Sequence, residues 1–134
     1  MPIPPVRRTG RTIIGMLKHL ALSDEHYWFR CAVNGEPLDY FPPGPNADWQ
    51  VDESESAEAV FALYRDEIER SNTIIAATEL DAPPRQPDAW WAESGMDLPD
   101  LRSILMHVLT ETAVHAGHLD AVRELIDGRQ WIAL

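Results

Sequence analysis

The sequence predicts an all-α protein, an antiparallel up-down bundle in which three long helices are present. Three segments carry apolar residues at spacings of three and four, which is typical of amphipathic helices. Two Pro-rich loops separate them, at residues 36–50 and 81–97. No segment shows the alternating apolar and polar pattern of a β-strand. A chain of 134 residues is long enough for a real core, so we expect residues 1–134 to form a single domain.

The first predicted helix runs from about Arg11 to Asn34. Thr9 is a suitable N-cap, and Gly35 is a suitable residue to end the helix. Residues 1–9 contain prolines and arginines and are expected to form an extended N-terminal segment.

The second and third predicted helices each have recognisable start signals. The second follows the acidic stretch VDESESAEAV, because negative charge is favourable in the first turn of a helix. It should end near Leu80. The last helix should start near Pro99, since proline is well tolerated in a first turn, and should end before Gly128.

The net charge of −11 restricts the partners of the protein. A strongly acidic chain is repelled by a phosphate backbone and by an anionic membrane, so we expect neither nucleic-acid binding nor membrane docking. No run of 18 apolar residues is present, and the N-terminus lacks the apolar core of a secretory signal. The single cysteine, Cys31, cannot form an internal disulfide, which fits a reducing cytoplasm.

The last helix places polar residues where apolar ones are expected. In the stretch TETAVHAGH, Glu111 and His115 lie on or beside the apolar stripe, at about 100° per residue. A buried carboxylate without a partner costs several kcal/mol, and a divalent metal ion is the simplest neutraliser. Residues at i and i+4 are neighbours on a helix, so both side chains reach one ion. The alternatives are a Glu–His pair on the helix surface, or a bundle tilted so that this side of the last helix is exposed to solvent.

A third ligand is expected from the first helix, which contains GMLKHLALSDEHYWF. His19 and His26 share one side of an α-helix there, and either is also compatible with a structural histidine. A metal ion bound by His19, Glu111 and His115 would keep coordination positions open for water or substrate, as in catalytic sites. Such donors suit Zn²⁺ first, and also Ni²⁺, Fe²⁺ or Mn²⁺.

Four further residues are candidates for the surroundings of the ion or for a substrate pocket. They are His26, Trp28, His107 and His118. His107 and His118 lie at the margin of the apolar stripe. Trp28 suits the rim of a cavity because its side chain is amphipathic. Surface positions for the histidines and core packing for the tryptophan are the alternatives.

Together, the segments GRTIIGMLKHLALSDEHYWF and LMHVLTETAVHAGHLDAVRELIDG resemble the DinB/YfiT-like superfamily of metalloenzymes. The resemblance covers about residues 6–128 and is strongest to its actinobacterial, mycothiol-dependent and uncharacterised branch. It implies a four-helix bundle in which His19, Glu111 and His115 bind the metal. Many members have a histidine where this chain has Glu111, although glutamate also occurs there.

The resemblance also implies a function. Members of known activity use the ion to hold a small thiol such as mycothiol, so we expect a metal-dependent thiol S-transferase or isomerase acting on electrophilic small molecules. A different class remains open from the residues alone: a non-catalytic helical dimer, or a small-molecule-binding protein, with a vestigial metal site. Metal content separates the two.

One feature departs from the family pattern. The family places a helix before the one that carries KHL, whereas only about ten residues precede that helix here. We expect either that the true chain start lies upstream, or that another subunit covers the open side of the bundle. An uncovered apolar strip usually marks an interface, so self-association into a dimer is expected.

Overall fold

The structure, a computed structural model, describes residues 12–131 and is all-helical within them. The elements are α1 (Ile13–His19), which continues directly into a π-helix (Leu20–Val33), then α2 (Ala57–Ala76), α3 (Ala89–Glu93) and α4 (Leu101–Asp127). The predicted all-α bundle is therefore confirmed. The predicted extended segment 1–9 and the N-cap Thr9 lie outside the described residues.

The first long helix has clear ends. Thr12 caps α1, because its side-chain oxygen accepts a hydrogen bond from the Gly15 backbone N–H at 2.9 Å. At the other end Gly35 has φ +77°, a left-handed conformation that glycine adopts without a Cβ penalty. Gly35 therefore ends this helix, as the sequence predicted.

The second part of this helix is π-helical rather than α-helical. Its backbone follows an i→i−5 hydrogen-bond pattern, illustrated at its end by the 3.0 Å bond from Asn34 N–H to the Phe29 carbonyl. Ten of its fourteen residues are buried, so it is the central element of the bundle. A π-helical turn contains more residues than an α-helical turn. Faces inferred from α-helical spacing therefore do not hold after His19.

The two other long helices are capped by local side chains. Ser56 accepts a hydrogen bond from Ala59 N–H at the start of α2, which ends at Ala76, earlier than the predicted Leu80. A reciprocal pair starts α4. The Asp100 carboxylate accepts from Ser103 N–H at 2.8 Å, and the Asp100 N–H donates to the Ser103 hydroxyl.

The helices differ in direction. α4 runs antiparallel to the first helix, because His19 lies near His115 and Trp28 lies near His107. α2 runs in the same direction as the first helix, since Lys18 pairs with Glu55 just before α2 and His26 pairs with Glu67 further along both helices. The Lys18–Glu55 ion pair joins the starts of the two helices. The predicted up-down order thus holds for α4 and differs for α2.

The core lies between the π-helix, α3 and the first half of α4. Its buried residues are Trp28, Phe29, Ala32, Val33, Trp91, Leu101, Ile104 and Val108.

The second half of α4 is exposed, although the apolar stripe seen in the sequence continues along it to Ile126 and favours burial there. Val122 and Ile126 belong to that stripe, yet Ile126 is 70% exposed. Apolar spacing identifies which face of a helix is apolar, but not whether a neighbour covers it. The prediction that a second copy of the chain covers this face stays a prediction.

None of the helices within residues 12–131 combines the length and the apolar character that crossing a membrane would require.

Candidate metal centre

Two of the predicted ligands lie one turn apart on α4. The Nε2 atom of His115 is 3.7 Å from Oε2 of Glu111. The His115 side chain is 13% exposed and that of Glu111 is 43% exposed, so the pair spans the boundary between the bundle interior and solvent. His115 thus lies on the inner side of the helix and Glu111 lies beside that side, where the apolar spacing placed them.

The third predicted ligand, His19, is the last residue of α1. Its ring meets that of His115 edge to face, with the ring centroids 4.9 Å apart. The structure therefore places His19 beside His115, and His19 and Glu111 border the same cavity. That they bind an ion stays a prediction.

The orientation of His19 is fixed by a loop. Its Nδ1 atom lies 2.6 Å from the Asp48 carboxylate, which also accepts a hydrogen bond from the Ser23 hydroxyl at 2.7 Å. The ring of Trp49 stacks on the imidazole at 4.1 Å. An ionised Asp48 places the proton on Nδ1 and leaves the lone pair of Nε2 for a ligand. Metal-binding histidines in proteins commonly have such a carboxylate partner.

Close packing holds this loop on α1. A Cβ atom at Gly15 would lie 2.5 Å from the Trp49 carbonyl oxygen, so only glycine allows the two backbones to approach. The buried Lys18 donates hydrogen bonds from Nζ to the Gln50 carbonyl at 2.7 Å and to the Glu55 carboxylate at 2.9 Å. These contacts hold the part of the loop that directly follows Asp48 and so keep Asp48 against the imidazole.

A fourth residue, the acidic Asp24, also lies at this site and was not predicted from the sequence. Donor atoms of Asp24, Glu111 and His115 all lie within 4.8 Å of one another. Asp24 is only 3% exposed, and its Oδ2 atom has no hydrogen-bond partner among residues 12–131. Burial, followed by the charges of Glu111 and Glu25, raises the pKa of Asp24 to about 7.

The donor set fits a divalent cation. Both charges that shift the pKa of Asp24 are negative, so they add to the cost of an ionised carboxylate at this buried position. Ligands bonded at about 2.0–2.2 Å are at most about 4.4 Å apart, which is close to the spacing of up to 4.8 Å among the donors of Asp24, Glu111 and His115. Carboxylate and imidazole groups are ordinary ligands of Zn²⁺ and of the other ions named above.

A cavity of about 330 Å³ adjoins the cluster. His19, Asp24 and Glu111 contribute to its wall, together with the aromatic side chains of Tyr27 and Trp90. The cavity therefore connects the potential ligands to a volume suitable for a small organic molecule.

The aromatic side of the cavity is held by α3, a short helix inside the predicted loop 81–97. The Tyr27 hydroxyl accepts hydrogen bonds from the Nε1 atoms of Trp90 at 2.9 Å and Trp91 at 3.0 Å. It donates to the Asp88 carboxylate at 3.0 Å. This network fixes the rings, because each polar tip is bonded.

Two of the predicted pocket residues also border this cavity. Trp28 and His107 both line it, and their ring centroids are 4.6 Å apart. Trp28 belongs to the buried core as well, so it combines both roles considered for it from the sequence.

His118 lies elsewhere. It is exposed on α4, with its ring 6.3 Å from that of His115, and it borders a second, mainly apolar groove. Ile13, Met16 and Val122 form other parts of that groove.

His26 belongs to a separate ionic cluster between the π-helix and α2. Its Nδ1 atom is 3.2 Å from Oε1 of Glu67, and its ring stacks on Tyr40 at 3.6 Å. Arg30 donates from Nη1 to the same Glu67 oxygen at 2.9 Å and also pairs with Glu36. The π-helical geometry explains why His26 does not share the face of His19.

Comparison with known families decides the relationship of the chain. A family model described as mycothiol-S-transferase matches residues 3–128. The chain belongs to this family. A search of curated proteins and a search of solved structures each gave no match. Membership in the mycothiol-S-transferase family confirms the resemblance to the DinB-like superfamily and its mycothiol branch, and supports a thiol S-transferase-like enzyme.

Proposed function

We propose that the protein holds one divalent metal ion at His19, Glu111 and His115 and transfers the sulfur of a mycothiol-type thiol to an electrophilic small molecule. The observation that carries this proposal is the convergence of these donors from two helices beside a cavity. Family membership supports the thiol as co-substrate. Zn²⁺ suits the donors best, with Ni²⁺, Fe²⁺ and Mn²⁺ as alternatives.

The residues of the chain supply the positions for this chemistry. When bound, a divalent ion deprotonates a coordinated thiol near neutral pH, and the thiolate is the nucleophile. Asp48 and Trp49 hold His19 with one ring nitrogen directed away from the loop. The i,i+4 spacing holds Glu111 and His115 side by side on a rigid helix.

The aromatic part of the cavity is the proposed site of the electrophile. Tyr27 and Trp90 form an apolar wall close to the donor cluster, and their polar tips are already hydrogen-bonded to each other. A flat apolar electrophile therefore buries its surface there without leaving a polar group unpaired. In the transfer, sulfur forms a bond to the electrophilic carbon, the leaving group departs with its electron pair, and the thiol proton goes to water.

We expect the Zn²⁺-loaded protein to conjugate mycothiol to monochlorobimane, a flat electrophile whose adduct is fluorescent. The rate should exceed the uncatalysed rate, fall to it after chelation, and return when Zn²⁺ is added back. Equal rates for metal-loaded and metal-free protein would count against the transferase. The alternative, a non-catalytic binding protein, predicts binding of metal or thiol without turnover.

The same chemistry suggests the location. A thiol co-substrate must stay reduced, and Cys31, the single cysteine of the chain, is buried and hydrogen-bonded to the Pro37 carbonyl. Both features are compatible with the reducing cytoplasm, which we propose as the location of the protein.

A further inference from the structure

We propose that Asp24 is an additional ligand of the metal ion, brought to the site by the π-helical geometry that begins after His19. This inference rests on the proposed metal-dependent function. It extends the donor set to two imidazoles and two carboxylates and assigns a role to the unusual backbone of the first helix.

The π-helix explains how Asp24 reaches the site. Asp24 follows His19 by five residues, which is the repeat of π-helical hydrogen bonding. In an α-helix at 3.6 residues per turn, five residues would rotate Asp24 by about 140° away from His19. In the structure both side chains border the same cavity as Glu111. π-helical turns are often found at functional sites, and this one supplies a ligand position that α-helical spacing would hide.

Burial provides the second argument. Asp24 is 97% buried, since only 3% of it is exposed, and its Oδ2 atom has no hydrogen-bond partner among the described residues. Buried polar atoms in folded proteins are nearly always paired, so an orphan carboxylate oxygen needs an explanation. This oxygen belongs to a side chain whose donor lies within 4.8 Å of donors from Glu111 and His115.

Charge balance favours a cation over a proton. A proton on Asp24 would neutralise one carboxylate but would not use the donor atoms of Glu111 and His115, which lie within 4.8 Å of the Asp24 donor. A divalent ion neutralises both carboxylates and also uses the imidazole lone pairs, so all the donors are satisfied together.

The test compares two variants that remove the same formal charge from adjacent positions. Asp24→Asn keeps the shape of the side chain but loses a carboxylate ligand, whereas Glu25→Gln removes a charge that lies near the site without belonging to the donor cluster. Zn²⁺ is titrated into each metal-free protein against a competing chelator at constant pH. We expect Asp24→Asn to weaken Zn²⁺ binding at least about tenfold, because even the loss of an outer-sphere partner has an effect of that size. Glu25→Gln should bind Zn²⁺ with nearly the affinity of wild type.

Stability of the metal-free proteins separates ligation from a folding defect. Asp24→Asn removes a buried, unpaired charge, so its metal-free form should unfold at a temperature no lower than that of metal-free wild type. As a second measurement, a crystal structure of Zn²⁺-loaded wild type should show an Asp24 oxygen about 2.0–2.2 Å from the ion.

Each outcome decides the matter. Equal weakening in the two variants would show that Asp24 acts only through long-range charge, and wild-type affinity in Asp24→Asn would overturn the inference directly. An ion bound in the crystal without Asp24 would overturn it as well. Failure of wild type to bind any Zn²⁺ would instead contradict the proposed function, and with it this extension.

Discussion

Replacing His115 with alanine is expected to weaken Zn²⁺ binding at least about 100-fold, the upper end of the loss found for outer-sphere partners, because a direct ligand is removed. The metal-dependent conjugation of mycothiol should fall to the uncatalysed rate. His115 is the residue that joins the cluster, since its ring contacts that of His19 at 4.9 Å and its Nε2 atom lies 3.7 Å from Glu111. Chelator competition and the bimane assay measure the two effects.

His118 provides the matched control. It is also a histidine on α4, three residues further along, but it is exposed and its ring lies 6.3 Å from that of His115. His118→Ala should keep both the affinity for Zn²⁺ and the conjugation rate close to wild type. If the two variants lost metal equally, general loss of imidazole on this helix, rather than a defined site, would explain the data.

Replacing Arg30 with methionine is expected to lower the free energy of unfolding by about 3 kcal/mol at pH 8. Methionine keeps an apolar stem of similar length but removes the guanidinium. Glu67, whose side chain is 6% exposed, then loses its positive partner inside the protein. An uncompensated buried carboxylate is costly, whereas most surface substitutions change stability little. Urea unfolding of the metal-free proteins measures the difference.

The loss should be smaller at pH 5.5 than at pH 8. Burial is the main cause that lowers the pKa of His26, and the charge of Arg30 lowers it further, while Glu67 raises it. Without Arg30 the pKa of His26 rises, so below that pKa a protonated His26 becomes the cation beside Glu67. In wild type the lowered pKa of His26 costs stability as the pH falls, because the unfolded chain binds that proton more readily than the folded protein does. The variant has the higher His26 pKa and loses less stability on acidification, so the difference in stability between the two proteins narrows at pH 5.5.

Two comparisons check the Arg30 interpretation. Arg65→Met on α2 removes an arginine that is exposed above the Phe61 ring, so it should change stability little. Adding Glu67→Gln to Arg30→Met should recover much of the loss, because the buried charge is removed as well. Arg30→Met within about 0.5 kcal/mol of wild type would mean that the cluster is solvated rather than buried.

Local signals in the sequence were sufficient for most helix ends and for placing Glu111 and His115 side by side on α4. Gly35 and Gly128 both adopt positive φ at the ends where helices were expected to stop. Glu111 and His115 lie on the inner side of α4 because an α-helix of ordinary geometry preserves the four-residue spacing. Each of these features is determined by residues within one or two helical turns of it.

The missed features depend on backbone geometry or distant contacts. Asp24 was not predicted to face the site because α-helical spacing places it on another side of the first helix. The π-helix changes the side on which it lies. Asp48 is 29 residues from His19 and lies in a Pro-rich loop without periodic signal. The exposure of Ile126 on α4 depends on whether a neighbouring element covers it. The spacing of apolar residues carries no information about such a neighbour.

The metal content of freshly purified wild-type protein, measured by elemental analysis, tests whether His19, Glu111 and His115 hold an ion. We expect close to one transition-metal ion per chain, removable by a chelator and absent from His115→Ala. Wild-type protein that carries no such ion, binds none on titration and still unfolds cooperatively at an ordinary temperature would contradict it.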